Sequence, residues 1–132
     1  MLIERLVSTG IARYEFRQFP VLGDDSVYAA LATECAADQR GFWPIHDRFM
    51  ANDRTLYTEG GLRRQANAEG LDADALLSCI RANTHLDAIQ SSKAEGQRRG
   101  VTATPTIFVN DVRVEPTLEA ILAAVAATES GS

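Results

Sequence analysis

After Gly100 the spacing of the apolar residues changes period, and that change divides the chain more sharply than any other feature. Upstream of it, from Asp24 onward, five successive stretches carry apolar residues at helical intervals. Val27, Leu31 and Cys35 lie on one face, with Asp24 or Asp25 placed to cap the helix. Phe42, Ile45, His46 and Phe49 make an i, i+3, i+4, i+7 stripe. Leu62 and Ala66 mark a helix over residues 59–68 that ends at Gly70. Asp72 is placed to cap a helix over 73–80 through Leu76, Leu77 and Ile80, and Thr84 one through Leu86 and Ile89 that closes at Gly100. Beyond Gly100, residues 106–109 are apolar and β-branched, Asn110-Asp111 suits a two-residue turn, and 112–114 supply the returning strand. Pro116 fits the first turn of a last helix bearing Leu118, Ile121, Leu122 and Val125. Ahead of the helical block, residues 1–8 have helical spacing and Gly10 as a stop, Leu22-Gly23-Asp24 reads as a turn, and residues 11–19 read as a strand halted at Phe19-Pro20.

The expected element order is therefore helix, strand, five helices, β-hairpin, helix. At 132 residues, 45% of them hydrophobic, the chain can bury one core of ordinary size. Its net charge of −5 and the absence of any basic block weigh against a nucleic-acid partner, which needs cationic side chains to displace counterions. No apolar run approaches the ~18 residues of a membrane span, and the first residues mix acids and bases without a signal-peptide core, so as written the chain is expected to be cytoplasmic. The final Glu-Ser-Gly-Ser reads as a frayed tail. Two cysteines, Cys35 and Cys79, and two scattered histidines offer no zinc-knuckle spacing, so no metal and no cofactor are expected.

Four local strings, in this order, resemble the DsbA-like thiol–disulfide oxidoreductase family. They are Phe19-Pro20-Val21-Leu22-Gly23; Glu34-Cys35-Ala36 with Gln39 and Gly41-Phe42-Trp43-Pro44-Ile45-His46-Asp47; Gly70-Leu71-Asp72 with Cys79; and Gly100-Val101-Thr102-Ala103-Thr104-Pro105-Thr106-Ile107-Phe108-Val109-Asn110. The similarity covers residues 3–125. It implies a thioredoxin-like α/β fold, with an all-helical insertion over 24–99 in an incomplete domain made of 1–23 and 100–128, and a cis bond at Thr104-Pro105 in a loop that offers backbone groups to a protein substrate.

The family's first strand, and the Cys-x-x-Cys at the start of its first helix, have no counterpart here, and the chain resembles the family from within that helix onward. In that chemistry a helix N-terminus lowers a thiol pKa and a second cysteine resolves the mixed disulfide. Neither Cys35 nor Cys79 is placed to do this, so no catalytic residue is assigned and the chain is expected to be redox-inactive, its family's substrates being thiol- or disulfide-containing proteins. An upstream export signal, if one belongs to the protein, would make it extracytoplasmic. A central strand missing between 11–19 and 106–109 would leave open backbone groups, which closing up, a donated strand, or a homodimer by edge exchange would satisfy.

Within the resemblance, Cys35 and Cys79 read either as two buried small hydrophobes or as a structural disulfide between insertion helices. Related proteins sometimes carry such a pair, although a reducing cytoplasm opposes it. His46 reads as a partly buried structural residue, His85 as exposed, and Trp43 as core or rim. Two other functions fit less well: a peptide-binding module without redox chemistry, and an enzyme similar to kappa-class glutathione transferases and related isomerases.

Overall fold

The computed structural model describes residues 3–21 and 23–130, without the side chains of Ile3, Glu4, Glu129 and Ser130. Met1 and Leu2 of the expected first helix, Leu22 of the expected turn, and Gly131 and Ser132 of the tail lie outside them. The chain forms two compact units, Gln18–Arg98 and Met1–Arg17 with Arg99–Ser132. The first boundary falls ahead of the expected 23/24 because Gln18 is tied to the helices. Its amide donates to Thr33 Oγ1 (2.9 Å) and Glu34 Oε1 (3.0 Å), and its carbonyl accepts from Ser92 Oγ at 2.8 Å.

The unit Gln18–Arg98 is helical. It comprises α1 (Asp24–Ala37), α2 (Phe42–Met50), a 3-10 turn Arg54–Tyr57, α3 (Glu59–Ala68), α4 (Ala73–Arg81) and α5 (Leu86–Arg98). Helix α1 is the packing centre and touches α2, α4 and α5. Its buried face is Ala30, Leu31, Ala32, Thr33, Cys35 and Ala36, and these mostly small side chains let neighbouring helices approach closely. Thr33 is the buried polar residue of that face. Its hydroxyl donates back to the Ala29 and Ala30 carbonyls and accepts from Gln18, so its burial leaves no unmet group. Ile45, Leu56, Leu62, Leu76, Leu77 and Ile89 complete the core at 0–2% exposure.

The helix ends correct one expectation. Neither Asp24 nor Asp25 caps α1. Gly23 holds the cap position at φ 76°, without a side-chain bond, and the two aspartates lie in the first turn, where they complement the helix dipole. Asp72 does cap α4, accepting from the Ala75 N–H at 3.0 Å. Asp53 and Thr58 cap the 3-10 turn and α3 through Thr55 and Gly61. At Gly61 a Cβ would lie 1.8 Å from the Thr55 carbonyl oxygen, so the turn and α3 can meet only at a glycine.

In the other unit, a helical turn Ile3–Val7 closes at Gly10, whose φ of 79° suits glycine. Strands β1 (Ile107–Val109) and β2 (Val112–Val114) pair antiparallel, with Ile107 opposite Val114 and Val109 opposite Val112. Asn110 (φ 48°) and Asp111 (φ 67°) both take the left-handed conformation that this hairpin turn requires. Helix α6 (Leu118–Ser130) packs on both strands and buries Ile121. Its cap is Thr117, whose Oγ1 accepts from Ala120 N–H at 3.1 Å, so Pro116 precedes the helix instead of opening it.

Residues 11–19 form no strand. Their alternation of Ala12, Tyr14 and Phe16 with Arg13, Glu15 and Arg17 is strand-like, but a strand exists through its ladder. Among the described residues the sheet is β1 and β2 alone.

Two predictions follow from the packing of α3. Gly61→Ala should lower the urea unfolding free energy by about 1–3 kcal/mol, because the neighbour it meets is backbone and cannot turn aside. The second concerns Glu59, whose carboxylate takes two hydrogen bonds from Arg81 of α4, at 3.0 and 2.7 Å. Those bonds, then the charges of Arg81 and Arg63, hold its carboxyl below the ordinary range. The unfolded chain therefore takes up this proton at a higher pH than the folded one. The stabilisation is full above the unfolded glutamate value of about 4.3 and vanishes as pH falls through the lower folded value. The melting-temperature difference between wild type and Glu59→Gln should be constant at neutral pH and should shrink below that range.

Candidate functional site

Between Gly100 and β1 the chain runs through an exposed loop in which the Thr104–Pro105 peptide bond is cis. The loop is held locally, since Thr106 Oγ1 donates to the Ala103 carbonyl at 2.6 Å. Arg99 braces the hairpin beside it. Its guanidinium lies 4.3 Å from the centre of the Phe108 ring and pairs with Asp111 at 2.9 Å. Arg113 donates to the Gly100 carbonyl at 3.4 Å.

Where this loop faces the end of β2 there is an open groove of about 460 Å³, lined by Ala103, Pro105, Thr106, Arg113, Val114, Glu115 and Pro116. Its wall is mainly apolar, with one cation and one anion near the rim. Such a wall suits an extended chain that offers apolar side chains and backbone hydrogen-bonding groups. Of the two expected substrate-contacting residues, Pro105 lines the groove. Thr104 is exposed beside it and is not part of the wall. Arg113 and Glu115 were not singled out from sequence, where they look like ordinary solvent-facing residues of a hairpin.

The second feature lies in the helical unit. Cys35 near the end of α1 and Cys79 near the end of α4 form a disulfide, with Cα atoms 5.9 Å apart, and neither cysteine is free. Cys35 is 1% exposed, whereas Cys79 is half-buried. His85, just before α5, is half-buried beside them, and its Nε2 lies 2.7 Å from Asp38 Oδ2. The same carboxylate oxygen is 3.9 Å from Cys79 Sγ. The expectation of an exposed His85 is thus corrected. No spacing signal relates residues 35, 38, 79 and 85, and the fold alone brings them together.

His46 stacks on Phe42 at 5.4 Å, meets Trp43 edge-on at 5.3 Å, and has Nδ1 3.1 Å from Asp47 Oδ1. Trp43 is 43% exposed, which places it at the rim of the helical unit and outside its core.

A mostly helical chain with a small two-stranded sheet backed by a helix fits a thioredoxin-like α/β fold with a helical insertion. The sequence matches the Thioredoxin family model over residues 1–127, and the chain belongs to that family. Among curated proteins it is similar to the Na(+)/H(+) antiporter NhaA 3 of Salinispora tropica, with 33% identity over 113 residues, 83% of this chain and 17% of that protein. It also resembles NhaA 1 of Salinispora arenicola (32% over 125 residues, 91% and 19%) and NhaA of Herminiimonas arsenicoxydans (29% over 108 residues, 82% and 17%). The chain spans less than a fifth of the length of these relatives. No solved structure matches significantly. Among the described residues no helix is long and apolar enough to cross a membrane.

Cys79→Ser tests what the disulfide contributes. The bond spans 44 residues, and opening it should cost about 4 kcal/mol in the chain-entropy picture, read from guanidinium unfolding. A loss well under 1 kcal/mol would mean that α1 and α4 stay in place without it.

Proposed function

We propose that this chain is a DsbA-type thiol–disulfide oxidoreductase scaffold that holds an extended segment of a protein substrate in the groove beside Pro105. The observation that carries this reading is the groove itself. Ala103, Pro105, Val114 and Pro116 give it apolar lining, and Arg113 and Glu115 add one charge of each sign. Membership of the Thioredoxin family supports it. Within these 132 residues there is no Cys-x-x-Cys, and both cysteines are bonded to each other. The activity of this stretch is accordingly substrate binding without disulfide transfer through that motif.

Two measurements on the chain test this together. An unfolded, alkylated peptide should shift amide resonances of residues 103–106 and 113–116, and insulin reduction by a small dithiol should run no faster with the chain than without it. Shifts confined to other residues would overturn the groove. Accelerated insulin reduction would overturn the redox-silent reading.

The names of the relatives favour a second reading, in which a domain of this kind works as a module of an Na(+)/H(+) antiporter. Replacing the matching stretch of the Salinispora tropica protein with this chain would then preserve sodium-driven proton flux in membrane vesicles. Loss of flux in a correctly inserted chimera would count against it.

A further inference from the structure

The corner that joins α1, α4 and the start of α5 holds more chemistry than a structural cross-link needs. The two sulfurs and one ring nitrogen of His85 all lie within 4.8 Å of one another. We propose that, when the Cys35–Cys79 bond is reduced, Cys35, Cys79 and His85 bind a thiophilic divalent cation, with zinc as the class of ion they suit.

Two sulfurs and an imidazole nitrogen form a ligand set that selects zinc over the hard cations, and three protein ligands leave one coordination position open. Around a tetrahedral zinc two thiolates stand about 3.8 Å apart, given Zn–S bonds of about 2.3 Å. The cysteine Cα atoms, 5.9 Å apart, leave room for that separation once the bond between the sulfurs is gone. His85 already has the partner that ligating histidines commonly have, a carboxylate on one ring nitrogen, here Asp38 Oδ2 on Nε2 at 2.7 Å. Asp38 is therefore a positioning residue, which orients an imidazole that has a nitrogen within 4.8 Å of both sulfurs. Cys79 and His85 are each half-buried and open a path to the site, while Cys35 closes its floor.

Charge explains why the reduced pair would hold a cation. A lone thiolate at Cys35, 1% exposed and packed among apolar side chains, would be strongly disfavoured. Two thiolates, a neutral imidazole and a divalent ion sum to zero. The steps balance. A dithiol reductant breaks the Cys35–Cys79 bond, supplying two electrons and two protons, and closes its own disulfide. The ion then displaces the two thiol protons to solvent. A disulfide oxidant reverses the order: it takes two electrons from the two thiolates and two protons from solvent to become a dithiol, and the re-formed Cys35–Cys79 bond releases the ion, so the site is filled only in the reduced state.

The test uses the whole chain, reduced with a phosphine that is then removed, and titrated with Co(II) as a spectroscopic probe. The expected result is one Co(II) per chain with thiolate-to-metal charge-transfer absorption and tetrahedral ligand-field bands, abolished by zinc. The disulfide form should show no such absorption. His85→Ala should weaken binding at least about tenfold, and Asp38→Asn about tenfold. Cys79→Ser should remove most of the charge-transfer intensity. Equal Co(II) binding by wild type and His85→Ala, or none by the reduced chain, would overturn the proposal. Far-ultraviolet circular dichroism covers the remaining case, because a reduced chain that loses helix and does not regain it with zinc overturns the proposal as well.

Discussion

The helical unit is organised by the place where the end of α1 meets α4. The Cys35–Cys79 bond fixes that meeting covalently, and α2, the Arg54–Tyr57 turn and α3 all lie in the loop it closes. Other contacts at the same place reinforce it. The Gln39 side chain accepts from the Asp72 N–H at 2.7 Å and donates to the Asp72 carbonyl at 3.1 Å, which orients the residue that caps α4. A Cβ at Gly41 would lie 2.6 Å from Leu71 Cδ1, so the chain leaving α1 runs tightly under the chain entering α4. A hydrogen bond of this kind contributes about 1 kcal/mol, and the cross-link several times that through the unfolded state. The disulfide thus dominates the energetics of this corner, while the amide pair and the glycine set its geometry.

Much of this was legible in the sequence. Helices α2, α3 and α4 bury the residues their 3.6-residue period selects: Ile45 and Phe49, Leu62 and Ala66, Leu76, Leu77 and Ile80. Asp72 caps α4, and Asn110-Asp111 forms the hairpin turn, because their side-chain chemistry decides locally. What failed depends on a distant partner or on the backbone path of the chain. Residues 11–17 have a good two-residue alternation, yet pattern does not create the neighbouring strand that a ladder needs. At the start of α1, two aspartates are good cap residues, but the chain must turn with positive φ at Gly23, and that backbone demand moves the cap off both of them. The cluster of Asp38, Cys79 and His85 spans 47 residues between Asp38 and His85, and no local rule reports on it.

The two units offer different surfaces. The hairpin unit carries its candidate site on a loop and a strand end, where most side chains are exposed. The helical unit hides its reactive groups, with a disulfide whose sulfurs differ in exposure. Family membership establishes the fold, but a thioredoxin-like fold hosts many activities, and the chemistry must be argued from the groups present. In this stretch those groups are an open groove beside Pro105 and a cysteine pair outside any Cys-x-x-Cys.

The unequal burial of that pair sets how the bond can react. Thiol–disulfide exchange requires a thiolate to reach one sulfur while the other departs with the electron pair. Cys35 is 1% exposed, so an external thiolate can approach Cys79 and not Cys35. Cys35 is then the leaving group, and a buried leaving thiolate is a poor one unless a proton or a cation meets it as it forms. His85, held by Asp38 within 4.8 Å of both sulfurs, is the group in position to supply that stabilisation.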